Sequence, residues 1–505
     1  MIAAGRFAFL PITCAALCVM LAPLTAAAQR GPEQQERKQV GATLAASYKP
    51  AADRLITDSM ADTEGYANLT YLCDHIGKRV SGSESLGRAI VWAEELMKKE
   101  GLSNVHTQAA TIPHWVRGAE SGEMVTPVAK PLHMLGLGMS VGTQPDGITA
   151  DAVVVPDFAA LDKLGRAGVQ GKIVVFNAPY VGYGRTVMYR VNGPSRAAAL
   201  GAVGVLVRSI TPLAAQLPHT GTLVYDKTQP KIPAAAISIE DALMLARLQL
   251  EGAPVRVHLQ MQAHMEAPVA AANVMGEIVG TEHPEQIVVL GGHIDSWDVG
   301  QGAQDDGSGI MGTLAAVNII RKSGLKPKRT IRIVFWVNEE NGGAGGVAYR
   351  AALTATELNN HVAAIEMDGG AEAPTGYGFG ASAAPRRTRP DDPATPAALK
   401  LTDGEVHSLA MLRDIATLLK PIGADKIHEG GGGSDIEPLM LDGVPGMGEV
   451  TTGAHYFDWH HTEADTLDKV NPEDFRRNVA SLAVMTYVLA DMPERLTGHK
   501  GVGEE

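Results

Sequence analysis

The feature that most constrains this chain is the alternation of apolar, strand-like runs with helix-like segments after Asn273. The strand-like runs are residues 286–290, 330–337 and 362–367, and the helix-like segments are 308–323, 345–353, 406–419 and 474–491. Such alternation is typical of a largely parallel sheet with helices on both faces. We therefore predict a three-layer α/β domain with a mostly parallel central sheet.

Histidine and acidic residues directly follow the three predicted strands. His293 follows the first strand, Glu339 and Glu340 follow the second, and Asp368 follows the third. In an open α/β sheet, ligands bind beyond the carboxyl ends of the strands, so we expect these separated segments to converge. Solvated loop carboxylates would explain acidic residues in loops, but not their position directly after buried strands.

The residue types indicate a metal site. Five segments carry the candidates, namely Gly-Gly-His-Ile-Asp (291–295), Gly-Ala-Gln-Asp-Asp-Gly (302–307), Asn-Glu-Glu-Asn (338–341), Glu-Met-Asp-Gly (366–369) and His-His-Thr-Glu-Ala-Asp-Thr (460–466). Zinc accepts mixed histidine and carboxylate ligands, whereas calcium and magnesium prefer oxygen ligands alone. Two zinc ions that share a carboxylate and a water need roughly five ligands and a base, which these segments provide.

These motifs resemble those of the co-catalytic zinc aminopeptidase family, and within it the plasma glutamate carboxypeptidase group. The nearer match rests on residues 79–83, 94–99, 113–118 and 300–306. The resemblance covers nearly everything after about residue 50. It implies a zinc-exopeptidase domain formed by residues 51–118 and 265–505, cleavage of dipeptides or amino-terminal residues of short peptides, and two zinc ions per chain, and it allows a homodimer.

When each motif is matched to its counterpart in the family, the resemblance implies a role for each candidate residue. His293 and Asp368 would bind one zinc, Glu340 and His461 the other, and Asp305 would bridge the two. The His-Thr-x-x-Asp-Thr register selects His461 over the neighbouring His460, which would either contact the substrate or pack beside the site, with packing favoured.

The remaining roles concern residues beside the ligands. Glu339 would be the general base, and Asp295 would hold the far nitrogen of His293. Asp465 would support the loop that carries His461, and Asp306 would cap the following helix. The resemblance also implies a cis peptide bond after Asp305.

The segments before and between these motifs indicate further parts of the protein. Residues 1–28 have a basic start, an apolar stretch and a small-residue cleavage site, which predicts a signal peptide, with an uncleaved anchor as the alternative. We therefore expect export to the periplasm or the extracellular space, with no membrane segment afterwards.

Residues 29–50 are predicted to be a flexible leader. Residues 119–264 are predicted to be a β-rich insert that resembles a protease-associated domain, and residues 375–400 an exposed loop.

The net charge bears on the class of partner, and the cysteine content bears on how the fold is stabilised. The formal net charge is −13 and no basic stripe stands out, which argues against nucleic acid as a partner. Beyond the predicted signal peptide the chain contains one cysteine, Cys73, so its core must stabilise it without an internal disulfide.

Two alternative functions stay open at this point. One is a catalytically inert binding protein that uses the insert, and the other is an aminoacylase or glutaminyl cyclase-like acyltransferase on the same fold. Metal content distinguishes the first from an exopeptidase, and activity on dipeptides versus blocked amino acids distinguishes the second. The sequence does not fix which end of a peptide is gripped.

Overall fold

The structure is a computed structural model that describes residues 32–380 and 401–498, with the backbone alone for residues 32–43. The predicted signal peptide (1–28) and most of the predicted loop at 375–400 lie outside the described residues. The chain divides into a unit of residues 1–40 and a second unit of residues 41–505. The second unit contains both sheets and the candidate site.

The described strands, in chain order, are β1 (Ser103–Val116), β2 (Glu120–Thr126), β3 (Lys130–Pro131), β4 (Met134–Gly136), β5 (Ile148–Val155), β6 (Ile173–Phe176), β7 (Gly204–Arg208), β8 (Ala234–Ile237), β9 (Arg256–Met261), β10 (His264–Ile278), β11 (His283–His293), β12 (Arg329–Trp336), β13 (His361–Glu366), β14 (Pro374–Phe379), β15 (Lys426–Glu429) and β16 (Gly446–Thr451). They form two mixed sheets. The predicted strands at 286–290, 330–337 and 362–367 are confirmed as β11, β12 and β13.

The described helices are α1 (Pro32–Met60), α2 (Glu64–Tyr71), α3 (Glu84–Lys99), α4 (Phe158–Val169), α5 (Tyr183–Thr186), α6 (Met188–Val191), α7 (Gly193–Ala199), α8 (Ile239–Leu250), α9 (Ser308–Ser323), α10 (Ala344–Ala351), α11 (Ala355–Asn359), α12 (Asp403–Ala416), α13 (Glu437–Leu441), α14 (Tyr456–Trp459) and α15 (Pro472–Asp491). Within the described chain, no helix is both long and apolar enough to cross a bilayer.

The first sheet has the order β1-β10-β12-β11-β13-β16-β14-β15. Its centre, from β12 through β11 and β13 to β16, is parallel, as predicted. The prediction of a mostly parallel sheet is wrong at the margins, because β10 runs antiparallel to both of its neighbours, β1 and β12, and β14 is antiparallel to β16. The fold is therefore mixed α/β.

Alternating side chains of β11 explain why helices cover both faces of this sheet. Val288 and Leu290 join the core formed with α9 and α15. Ile287 and Val289 point to the opposite face, where a second core includes Tyr349 of α10. Successive strand residues point to opposite faces, so an uninterrupted apolar run requires cover on both sides.

Residues 120–261 form the second sheet, of order β3-β2-β9-β5-β6-β7-β8-β4. They lie between β1 and β10, which pair with each other in the first sheet. We call residues 120–261 the insert. It contains strands β2 to β9, as expected of a β-rich insert, but it also contains helices α4 to α8, so it is less purely β-rich than predicted.

Two predicted loops are corrected. The leader predicted at 29–50 is helical from Pro32, and its side chains Leu44, Ala45 and Tyr48 pack against the main core, so residues 44–50 are not a mobile arm. The exposed loop predicted at 375–400 begins instead with the buried strand β14.

Candidate metal centre

The parallel strands bring the predicted residues to one rim of the first sheet. His293 is the last residue of β11 and pairs with Trp336 at the end of β12. Glu339 and Glu340 follow Trp336 within four residues, and Asp368 follows β13 by two. Because these strands are parallel and in register, their carboxyl ends are level and their following loops meet.

One half of the centre is formed around His293. Its Nε2 lies 3.1 Å from Asp305 Oδ1 and 3.4 Å from Asp368 Oδ1. The imidazole and the Asp305 side chain are buried, whereas Asp368 is 18% exposed. The structure thus brings together the three residues predicted for one zinc.

The other half is formed around His461. Its Nε2 lies 3.0 Å from Glu340 Oε2 and 3.2 Å from Asp305 Oδ2. Asp305 therefore directs one oxygen to each histidine. This is the arrangement expected of a carboxylate that bridges two cations.

Both imidazoles present the nitrogen that a metal needs. His293 Nδ1 lies 3.0 Å from the Asp295 carbonyl oxygen, and His461 Nδ1 lies 3.2 Å from the Thr220 carbonyl oxygen. A carbonyl only accepts hydrogen bonds, so each Nδ1 carries a proton. Each Nε2 therefore faces the carboxylates, where it donates a proton as part of an imidazolium or, when deprotonated, can offer its lone pair to a metal.

The electrostatics of the cluster also fit a cation. Burial alone would lower the pKa of His293 and of His461, but hydrogen bonds and charges from the surrounding carboxylates raise both values well above normal. Burial and the charge of Asp305 raise the pKa of Glu340 to about 8. Positive charge is strongly favoured between these nitrogens and oxygens, and a bound metal supplies it while its ligands are deprotonated.

The Asp305 turn is fixed by hydrogen bonds. The peptide bond between Asp305 and Asp306 is cis, as the resemblance implied. The Asp465 carboxylate accepts hydrogen bonds from the backbone N–H groups of Ala303, Gln304 and Asp305, at 2.7 to 3.2 Å. Asp465 therefore supports the bridging residue, whereas it was predicted to support the loop of His461.

Asp306 caps α9, as predicted, by accepting a hydrogen bond from the Gly309 N–H at 3.0 Å. It also accepts one from the backbone N–H of His293 at 3.0 Å. The same carboxylate thus joins the helix start to the end of β11.

Asp295 differs from its predicted role. The far nitrogen of His293 contacts the backbone carbonyl of Asp295, while the nearer carboxylate oxygen is 3.8 Å away. The carboxylate instead accepts hydrogen bonds from Ser81 Oγ and from the backbone N–H of Glu339, both at 3.1 Å. Its side chain therefore positions the Glu339 loop.

His460 lies beside the centre. Its ring stacks on His461 with a centroid distance of 3.5 Å, and its Nε2 is 3.6 Å from Asp305 Oδ2. It also packs against the rings of Tyr183 and Phe457. Burial and the neighbouring His461 lower the pKa of His460 well below normal. These contacts show that the His460 ring is packed, and they do not test whether it also contacts a substrate.

Two contacts of the centre were absent from the sequence-based prediction. The Thr220 carbonyl reaches His461 from the insert, and Trp297 Nε1 donates to Glu340 Oε2 at 2.6 Å. A backbone carbonyl leaves no side-chain signal in a sequence. The tryptophan lies two residues beyond Asp295, and only its proximity to that motif could have drawn attention to it.

Known proteins are similar to this chain in sequence and in fold. Residues 273–486 match the model of peptidase family M28. Carboxypeptidase Q from Bos taurus is 38% identical over 471 residues, which cover 92% of this chain and 94% of the relative. The crystal structure of a peptidase M28 precursor from Shewanella amazonensis SB2B is 30% identical, with a TM-score of 0.82 over 90% of this chain and 98% of its own.

A more distant structure shares the fold. BSAP, a zinc aminopeptidase from Bacillus subtilis, is 18% identical, with a TM-score of 0.61 over 85% of this chain and 95% of its own. Together with the closer similarities, this confirms the family resemblance inferred from the motifs.

Proposed function

The chain belongs to peptidase family M28 and is a zinc metallopeptidase, and from this premise we propose that it is an exported exopeptidase that cleaves short peptides with two zinc ions. The observation that carries the proposal is the convergence of five predicted ligands from separate segments, with Asp305 between two histidines. An inert binding protein would have no need to keep this complete set together at one rim.

We assign the ligands as the motifs imply. His293 and Asp368 hold one zinc, Glu340 and His461 hold the other, and Asp305 is shared. Zinc supplies Lewis acidity, which acidifies water and polarises a peptide carbonyl. The donor set supports zinc because it mixes imidazole nitrogens with carboxylate oxygens.

Glu339 is the proposed general base. It directly precedes Glu340, and its N–H is held by the Asp295 carboxylate at 3.1 Å. In the proposed reaction its carboxylate takes a proton from the attacking water and delivers it to the departing amine nitrogen. The Asp295 contact supports this role because it restrains the backbone that presents the base.

The proposed substrates are dipeptides and other short peptides, with cleavage next to a terminal residue. Carboxypeptidase Q and BSAP have names that refer to opposite peptide ends, so the end specificity must be measured. We also propose that the insert is a protease-associated domain, that residues 1–28 direct export, and that the enzyme is a homodimer.

The decisive experiment combines metal analysis with a substrate panel. The purified protein should contain two zinc ions per chain and hydrolyse free dipeptides. The same dipeptides blocked at the amino or the carboxyl end identify the terminus that the enzyme grips. Fewer than two ions per chain would contradict the two-zinc centre, and activity on blocked amino acids alone would favour an aminoacylase or acyltransferase.

A further inference from the structure

The two halves of the centre are held by different parts of the molecule. Around His293, the hydrogen-bond partners belong to segments that surround the first sheet. The backbone N–H of His293 donates to Asp306, and its Nδ1–H donates to the Asp295 carbonyl.

Around His461, the insert supplies the hydrogen-bond partner of Nδ1 and of the backbone carbonyl. His461 and Thr220 exchange two hydrogen bonds, because the His461 Nδ1–H donates to the Thr220 carbonyl at 3.2 Å and the Thr220 N–H donates to the His461 carbonyl at 3.0 Å. Thr220 is fully buried. This reciprocal pair fixes both the backbone and the ring direction of His461.

The same loop of the insert also reaches Glu340. Thr222 Oγ1 donates a hydrogen bond to the Glu340 carbonyl at 2.5 Å and accepts one from the Asn341 side chain at 3.2 Å. Thr222 thus hydrogen-bonds both to the backbone of the proposed ligand Glu340 and to the side chain of the next residue, Asn341.

Trp297 provides a third connection. Its Nε1–H donates to Glu340 Oε2, and its ring belongs to the hydrophobic core of the insert, where it meets Trp115 edge-on. The ring lies directly over Gly138 of the insert, where a side chain would collide with it. Packing against the insert therefore positions the Trp297 indole relative to the Glu340 carboxylate.

We propose that the insert selectively builds the Glu340/His461 half of the metal centre, with Thr220, Thr222 and Trp297 as positioning residues. Loosening these contacts weakens one zinc site and leaves the His293/Asp368 site intact. The inference rests on the two-zinc assignment proposed above. It gives the insert a role in assembling the centre, in addition to any role in binding substrate.

The test uses two variants of the full chain and one matched control. Trp297→Phe keeps a buried aromatic ring but removes the N–H donor to Glu340. Thr222→Val keeps the side-chain shape but removes the hydroxyl that holds the Glu340 carbonyl. The control, Thr143→Val, also removes a threonine hydroxyl within the insert, but its partners are Gln144 and Met261.

Zinc per chain is measured after dialysis against buffers of graded free zinc, and anomalous diffraction at the zinc edge identifies which site is filled. In both variants, we expect one site to bind about 10–100-fold more weakly, as is typical when a ligand loses its supporting hydrogen bond. That site should be the Glu340/His461 site, while the control binds both ions as the wild type does.

Equal weakening of both sites, unchanged binding, or selective loss at His293/Asp368 would overturn the inference. Failure of the wild type to bind two ions would instead refute the two-zinc proposal, so the two failures are distinguishable. Thermal melting followed by circular dichroism establishes that each variant is folded. If Trp297→Phe does not fold, Thr222→Val decides the outcome.

Discussion

At the residue scale, carboxylates that lie close together in the centre have different surroundings and different roles. Asp305 faces two histidines, and these hydrogen bonds outweigh its burial and hold its pKa well below normal. Glu340 faces one histidine, and burial raises its pKa. Glu339, the adjacent residue and the proposed base, has its backbone N–H held by the Asp295 carboxylate.

Glu339→Gln should therefore separate catalysis from metal binding. The substitution keeps the size of the side chain but removes its capacity to accept and return a proton. We expect hydrolysis to fall by about 100-fold or more, since general acid–base catalysis typically contributes that much. Zinc content should stay at the wild-type value, as measured by mass spectrometry. Substantial residual turnover would remove Glu339 from the role of base.

A second residue-scale prediction concerns the buried carboxyl group of Glu449 in β16. Burial raises its pKa from 4.5 to about 8. The folded protein therefore binds this proton more tightly than the unfolded chain does. Its stabilising contribution is complete below pH 4.5 and is lost as the pH rises through about 8.

Glu449→Gln imitates the protonated acid and should remove this dependence. Between pH 4.5 and 8, the wild type should lose at most about 1.4 kcal/mol of unfolding free energy per pH unit through this group. The advantage of the variant should grow with pH, as measured by denaturant unfolding at pH 5 and pH 8. An advantage that is equal at both pH values would show that Glu449 does not titrate in this way.

At the scale of elements, the sequence predicted the centre of the fold better than its margins. β11, β12 and β13 are buried on both faces, so their apolar runs, interrupted only by Arg332 in β12, are easy to recognise. β14 was mistaken for a loop because of its glycines. Those glycines allow close pairing, since a side chain at Gly376 would collide with the carbonyl of Lys426 in β15.

The candidate site could likewise be predicted from the sequence only in part. The ligands could be predicted because each has its own side chain and lies in a motif beside a strand. The Thr220 carbonyl could not, because it comes from 241 residues away and involves no side chain. The carboxylate of Asp295 was recognised as important, but only the folded loop shows that it holds Glu339.

Helix α9 offers a test of how elements hold the site. Gly309 lies in its first turn, where a Cβ would collide with the Met367 carbonyl and the Asp306 carboxylate. Gly309→Ala should therefore lower the melting temperature and weaken zinc binding, because Asp306 also holds the backbone of His293. The effect on unfolding free energy should exceed about 1 kcal/mol, as is usual for overpacking.

Gly87→Ala in α3 is the matched control. A Cβ at Gly87 meets no atom within 4 Å, and the residue is exposed. Alanine favours helix over glycine by about 0.8–1 kcal/mol, so this variant should be slightly more stable and bind zinc normally. If both substitutions changed stability in the same direction, the close contact at Gly309 would not be the cause.

At the scale of the whole molecule, the centre connects segments that are distant in the chain. His293, Asp368 and His461 lie at the ends of different elements, and Thr220 adds the insert. Without a cation, the carboxylates repel one another unless the histidines carry protons. A bound metal therefore stabilises the folded state, since the unfolded chain does not hold these ligands together.

Removal of zinc should consequently lower the melting temperature as well as abolish hydrolysis. Dialysis against a strong chelator gives the metal-free protein, and calorimetry should show a transition several degrees lower than that of the zinc-loaded enzyme. Added zinc should restore both the transition and the activity, and Glu339→Gln should show the same thermal shift, because it keeps every proposed ligand. A melting temperature that is independent of zinc, in a protein shown to bind it, would mean that the loops are held in place without the metal and that the centre adds nothing to the stability of the fold.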